Sequence, residues 1–300
     1  MTSNSRSRQR FALILLFLTP ALWCVNYLVA RSAPGVIEPH ALALLRWLIA
    51  AALFSLGNWG ELLAHRTDIA RDWKHYLVLG ALGMWICGAW VYIGGRTTVA
   101  VNIALIYSIS PVLIVAASAL WLKERIQVLQ IIGVALALAG VVHVVLKGQW
   151  GHLTEVQLVP GDGWIFAAAL SWTVYSILLK KWPSPLSASA RLTVISLAGV
   201  VVMLPFAVLE AWHNPLPTLT LQGFGLVLAA AAFPGYGAYL AFSIMQRELG
   251  AARVSVVLYL GPIYAAVIAW VVLGESLQWH HAFGMALILP GIYLVNRKPT

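Results

Sequence analysis

The sequence predicts an all-α integral membrane protein of ten transmembrane helices, built as two inverted five-helix repeats over residues 1–150 and 151–300. Three observations carry this. The chain is 61% hydrophobic and only 10% charged, with a mean hydropathy of +0.85. Ten apolar segments of spanning length follow one another through short, charge-bearing connections. The stretch Ser110–Glu124, SPVLIVAASALWLKE, is echoed 151 residues later by Gly261–Glu275, GPIYAAVIAWVVLGE.

A soluble domain carries roughly 25% charged residues. So few charges could not cover a surface facing water, and lipid is the solvent for most of this chain. The net charge of +9 comes from Lys and Arg scattered over loops, which argues against a nucleic-acid partner. Cys24 and Cys87 lie inside apolar runs and read as small buried residues, not as a disulfide or metal pair.

A spanning helix needs about 20 mostly apolar residues. The first candidate is Phe11–Ala30. Its basic lead, SRSRQR, resembles a leader ending at Cys24, but Trp23 stands where a cleavage site wants a small residue, so the segment reads as a retained helix. The others are His40–Asn58, His75–Gly94, Val99–Trp121, Val128–Leu146, Gly163–Lys180, Ser187–Leu209, Leu221–Gln246, Ala251–Leu273 and Trp279–Val295. Strand alternation is absent, which speaks against an outer-membrane barrel. Ten spans put both termini on one face. That face would carry Arg6, Arg8, Arg10, Arg66, Arg71, Lys74, Lys123, Arg125, Lys180, Lys181, Arg247, Arg297 and Lys298, against Arg31, Arg96 and Lys147 opposite. Cytoplasmic loops hold the excess of Lys and Arg, so both ends are expected in the cytoplasm.

Shifted by 151 residues, Pro111 falls on Pro262, Glu124 on Glu275, Gly133 on Gly284, Gly140 on Gly291 and Lys147 on Lys298. Matches of such residue types at one offset mark an internal repeat. A weaker echo pairs Trp23 with Trp172. Five spans per repeat is an odd number, so the halves enter the membrane from opposite sides. Inverted copies let a transporter open one central site to either face in turn. Pro111 and Pro262 then mark equivalent kinks, as hinge or gate or simply as packing features.

SISPVLIVAASALWLKERIQVLQIIGVALALAG and its echo ending ESLQWHHAFGMALILPG resemble the drug/metabolite transporter superfamily, EamA type. Pro111, Glu124, Gln130, Gly133 and Gly140 fit that pattern, as do Pro262, Glu275, Gly284 and Gly291, while His281 stands where the first copy has Gln130. Trp23 and Arg46 also look like the family. The resemblance covers the whole chain. It implies ten helices, inverted repeats and export of metabolites across the bacterial inner membrane, and the mid-span aromatics look most like an aromatic amino acid exporter.

The residues themselves indicate what could bind. The Asp and Glu residues lie in loops or at span ends, so the mid-membrane carboxylate of an ion-coupled carrier is missing. Arg46 and Arg191 are the clearest intramembrane cations. Each could recognise a substrate carboxylate, or serve structurally by bonding backbone carbonyls or snorkelling, which is the commoner use. Most tryptophans fall at span ends, as interfacial belts require. Trp23, Tyr107, Trp172, Tyr175 and Tyr259 do not, and Asn26 shares a helix face with Trp23. These six are the candidate lining of a central, aromatic cavity suited to an amphipathic or aromatic solute; helix packing is the alternative for each.

No phosphate-cradling G-x-x-x-x-G-K-[ST] and no HExxH occurs, and His280 and His281 are adjacent and diverge on a helix. No ATPase subunit, cofactor, metal or enzymatic activity is therefore expected; the partners are lipid and a small molecule such as an amino acid, the protein acting as a monomer. The rivals are a polyspecific drug exporter on the same fold, a membrane-embedded lipid-processing enzyme, a scaffold subunit and a channel.

Overall fold

In lipid a lone apolar segment satisfies its backbone only as a helix. The computed structural model of the protein describes residues 3–98, 103, 106–155, 158–214, 220–264, 267 and 278–296, and no strand occurs among them. Its helices are α1 (Ser3–Ser32), α2 (Pro39–Ser55), α3 (Trp59–Ala64), α4 (Arg66–Arg71), α5 (Trp73–Gly94), α6 (Ile106–Trp121), α7 (Val128–Val145), α8 (Pro160–Lys181), α9 (Ala188–His213), α10 (Leu221–Leu249), α11 (Ala251–Tyr264) and α12 (Trp279–Asn296). Among the described residues, six are long and apolar enough to cross a membrane: α1 over Phe11–Ala30, α5, α7, α8, α9 and α10. Three more, α2, α6 and α11, are shorter and apolar. The expected start of span four and the end of span nine, with Glu275, lie outside the described residues. Cys24 and Cys87 are free thiols packed in the bundle.

Two departures from the expected helices matter for function. The middle of α5, Ala81–Trp90, and the middle of α10, Ala231–Ala238, are π-helical. They begin 150 residues apart, close to the 151-residue spacing of the echoed stretches. Such turns are rare and concentrate at functional sites. The second departure is at the repeated prolines. A turn at Ile109 interrupts α6 just before Pro111, and a 3-10 segment, Val256–Leu260, precedes Pro262 in α11. Proline lacks the N–H that would continue the ladder, so both helices change geometry where the sequence placed a kink.

Helix contacts exchange between the halves. The π segment of α5 packs on α8 and α9, and the π segment of α10 packs on α1 and α2. Helices α7 and α12 run antiparallel along repeated glycines. A methyl added at Gly133 would lie 2.6 Å from the Gly291 carbonyl oxygen, and one at Gly291 would lie 2.6 Å from that of Gly133. Gly140 and Gly284 face each other in the same way, with methyl–carbonyl distances of 2.8 and 3.0 Å. Only glycine permits so close an approach, the small-residue packing expected between membrane helices.

The helix starts repeat this reciprocity. Glu210, near the end of α9, accepts the backbone N–H groups of His40 (2.8 Å) and Ala41 (3.1 Å) at the start of α2, and bonds the His40 ring Nδ1 at 2.9 Å. Glu61, beyond the end of α2, accepts the N–H and hydroxyl of Ser187 at the start of α9, at 2.5 and 2.8 Å. Each helix of this antiparallel pair is thus capped by a carboxylate from beside the other's end, an arrangement favoured by the unpaired N–H groups and positive dipole at a helix start. Gln130 and His281 do matching work too: the Gln127 N–H donates to Gln130 Oε1 at 2.9 Å, and the Gln278 N–H to His281 Nδ1 at 3.0 Å. The residue type changed between the copies and the capping role stayed.

Candidate functional site

At the middle of the bundle, Trp23 from α1 meets Trp172 from α8 edge-on, with ring centroids 5.6 Å apart. Trp172 also contacts Tyr175 (5.4 Å), Tyr239 (5.5 Å) and Phe242 (4.8 Å), and Trp47 meets Tyr239 at 4.8 Å. Edge-to-face pairs at these distances are favourable beyond the area they bury. The cluster joins α1 and α2 of the N-terminal half to α8 and α10 of the C-terminal half. Its rings close on one another instead of bounding an open hollow: Trp47, Trp172, Tyr175, Tyr239 and Phe242 are all buried.

The π segments shape this centre. The Tyr239 hydroxyl donates to the Gly83 carbonyl at 2.6 Å, and a methyl at Gly83 would press into the Tyr175 ring at 2.6 Å. Gly235, in the other π segment, lies beside Arg46: a methyl there would stand 3.5 Å from the Arg46 Nε.

Arg46 is buried beside the rings, with 3% of its surface exposed. Its Nη1 donates to Asn26 Oδ1 at 3.1 Å and to the Tyr92 hydroxyl oxygen at 3.0 Å, and the Tyr92 hydroxyl donates to Asn26 Oδ1 at 2.7 Å. The guanidinium carbon sits 4.7 Å from the centre of the Trp47 ring, a cation–π contact. Asn26 therefore serves Arg46. Arg191 does different work. Its Nη1 donates to the Leu179 carbonyl at 2.9 Å and its Nη2 to the Trp182 carbonyl, tying down the last turn of α8. It is one of the structural arginines that the sequence left open.

Of the expected lining, the structure brings Trp23, Trp172, Tyr175 and Asn26 together with Arg46. It places Tyr259 elsewhere, buried among Val115, Val256 and Ile288 in a separate core, while Tyr107 packs on Val91, Ile165 and Ala168 within electrostatic reach of Tyr239. Pro111 and Pro262 stand at the helix breaks described above. Four residues of the centre, Trp47, Tyr92, Tyr239 and Phe242, were not singled out as lining. A signal existed for Tyr92: Arg46 needs polar company in lipid, and few polar side chains are available at its depth.

Two cavities lie away from the centre. A cavity of about 590 Å³ between α2, α5 and α9, beside α3 and α4, is lined by apolar groups such as Leu48, Ala51, Leu197 and Val201. A smaller one of about 360 Å³ lies between α6 and α7. Neither is lined by the central aromatics.

The sequence profile of the EamA-like transporter family matches residues 10–146 and again residues 159–297. The chain belongs to the EamA-like transporter family. This family member is therefore a multi-pass membrane transporter. It is 25% identical over 288 residues to an uncharacterized transporter of Archaeoglobus fulgidus, covering 95% of this chain and 97% of that one. It is 24% identical to the uncharacterized transporter YyaM of Bacillus subtilis, over 88% of this chain and 86% of YyaM. An S-adenosylmethionine/S-adenosylhomocysteine transporter of Chlamydia trachomatis serovar L2 is 23% identical, over 96% of this chain and 89% of its own length. A crystal structure shares the fold, with a TM-score of 0.76 and 20% identity over 95% of this chain and 96% of that one.

Proposed function

We propose that this EamA-like transporter is a ten-span carrier of two inverted five-helix repeats that exports small organic metabolites, amino acids including aromatic ones foremost. It works by alternating access through the aromatic centre. The observation that carries the reading is the pairing of Trp23 with Trp172, equivalent residues of the two halves that meet at 5.6 Å. A ring cluster built from both repeats is where a solute would be handed from one to the other. The double family match and the reciprocal contacts Gly133–Gly291, Gly140–Gly284, Glu61–Ser187 and Glu210–His40 support inverted halves. The closed rings describe an occluded form, and opening either end requires them to part. Pro111 and Pro262, at their helix breaks, are the hinges of that motion.

Among the described residues, every ion pair involving Asp or Glu lies at helix ends or in connections. That favours facilitative transport, driven by the substrate's own gradient, over coupling through a less obvious group. The protein sits in the bacterial inner membrane as a monomer, with both termini in the cytoplasm, where the excess of Lys and Arg would hold them. Large amphipathic metabolites with a purine ring, such as that named for the Chlamydia relative, share the need for a stacking surface and belong in any test. The experiment is reconstitution of the purified protein into liposomes and measurement of labelled amino-acid flux, with and without a pH gradient. S-adenosylmethionine and a lipophilic cation complete the panel. Saturable amino-acid flux indifferent to the pH gradient is the expected result. Flux of the lipophilic cation alone would replace this reading with a drug exporter, and no flux at all would end it.

A further inference from the structure

The centre holds a positive charge with no negative one to meet it. Arg46 is 3% exposed, and no Asp or Glu among the described residues pairs with it. Its two protein partners, Asn26 and Tyr92, are neutral. An arginine at mid-bilayer is costly, and a buried charge is tolerated when something compensates it. The indole N–H groups of Trp47 and Trp172, whose rings both meet Tyr239, lack an acceptor, and so does the Arg46 Nε. Buried donors are almost always paired, because leaving one unmade forfeits its bond to water. Two unpaired indole donors in the ring cluster that flanks a cation whose own Nε is unpaired form a site made to receive acceptor oxygens.

The two repeats furnish it unequally. Asn26, Arg46 and Tyr92 give a cationic end from the first. The second repeat has Ile195, Ser196 and Leu197 at the positions 149 to 151 beyond Arg46, so it carries no matching cation there. It supplies Trp172, Tyr175, Tyr239 and Phe242, a wall of ring faces. The site is therefore polar at one end and aromatic at the other.

We propose that Arg46, helped by the indole N–H groups of Trp47 and Trp172, anchors the carboxylate of a substrate whose apolar or aromatic body lies on the rings of α8 and α10. The anion is required and an ammonium group is dispensable, since ring faces are all that stand ready to meet one. This rests on the centre being the substrate site, and adds which chemical group is read there.

The test is ligand-induced thermal stabilisation of the detergent-purified full-length protein by three compounds of one shape: tryptophan, tryptophanamide without the carboxylate, and indole-3-propanoate without the ammonium. Tryptophan and indole-3-propanoate should stabilise it, and the amide should bind about tenfold or more weakly. Arg46→Gln should erase the preference, and Arg46→Lys, keeping the charge, should retain part of it. Trp172→Phe keeps the ring, loses the N–H and should weaken the acids more than the amide. If Arg46→Gln fails to fold, the ligand series on the unaltered protein decides alone. Equal stabilisation by acid and amide, or none by any compound, overturns the proposal. Liposome flux separates it from the transport reading: binding of the acids without flux removes transport of these solutes and leaves the anchor standing. Amino-acid flux indifferent to the carboxylate does the reverse.

Discussion

Adding one methyl group at Gly133 should unsettle the junction between the halves. The ideal position of that carbon is 2.6 Å from the Gly291 carbonyl oxygen. Close carbon–oxygen contacts in helix interfaces sit at about 3.3–3.6 Å, so α7 and α12 must part by roughly 0.7 Å. Forcing extra volume into a packed interface costs about 1–3 kcal/mol. The reciprocal substitution Gly291→Ala meets the Gly133 carbonyl at the same 2.6 Å and should cost about as much. Both methyls press on one gap, so the double variant should lose less than the sum of the two, by about 0.5 kcal/mol or more. Gly225→Ala is the control, because a methyl there meets nothing within 4 Å and alanine is the better helix former. The assay is the apparent melting temperature of the monodisperse protein in mild detergent. Falls of several degrees for each single variant, a sub-additive double and an unchanged control are expected. Unchanged melting in Gly133→Ala, or strict additivity, would refute the close antiparallel contact.

Three further outcomes follow from the same geometry. The Ser187 backbone N–H holds the Glu61 carboxyl below its usual range. Its folded pKa lies under the unfolded one, so the stabilisation is present above about pH 4.3 and is lost as pH falls through the folded value. Glu61→Gln should therefore be the less stable protein at pH 7 in detergent melting curves, with the gap narrowing in acid. Arg191→Ala should lower stability by about 1–2 kcal/mol through the lost bonds to the Leu179 and Trp182 carbonyls, yet keep substrate discrimination in liposomes. Pro111→Ala and Pro262→Ala should slow flux while leaving ligand-induced stabilisation intact, and unchanged turnover in both would reduce the prolines to packing.

Much of this architecture was legible in the residues because lipid leaves a chain few choices. Among the described residues, six of the expected segments are helices long and apolar enough to cross a membrane, three more are shorter apolar helices, and a turn at Ile109 breaks the fourth. Span two shows why ends move: α2 stops at Ser55, short of the expected Asn58, because Gly57 turns into the left-handed region at φ +78°. The π segments were not legible. Runs such as ALGMWICGAW are apolar on every side, so no periodic polar face reports whether the turn holds four residues or five. The site was legible in part. Trp23 and Trp172 stood out through the repeat itself, while Tyr259 looks like them in sequence and is held in another core by neighbours that a single helix does not reveal. The caps could have been found: Glu61 and Glu210 are 149 residues apart, the same spacing as Trp23 and Trp172. Arg46 was recognised as unusual; its partner Tyr92 comes from another helix, so only the need of a buried cation for polar company at its depth, and not sequence spacing, could have pointed to it.

The central claim is that equivalent connections of the two halves emerge on opposite sides of the membrane. Thr67, between α2 and α5, and Asn214, after α9, lie in such connections. With Cys24 and Cys87 replaced, single cysteines at these two positions can be tested with a membrane-impermeant maleimide in intact cells and in inverted vesicles. The Asn214→Cys protein should label in cells and the Thr67→Cys protein only in inverted vesicles. Labelling of both from the same face would contradict inverted repeats.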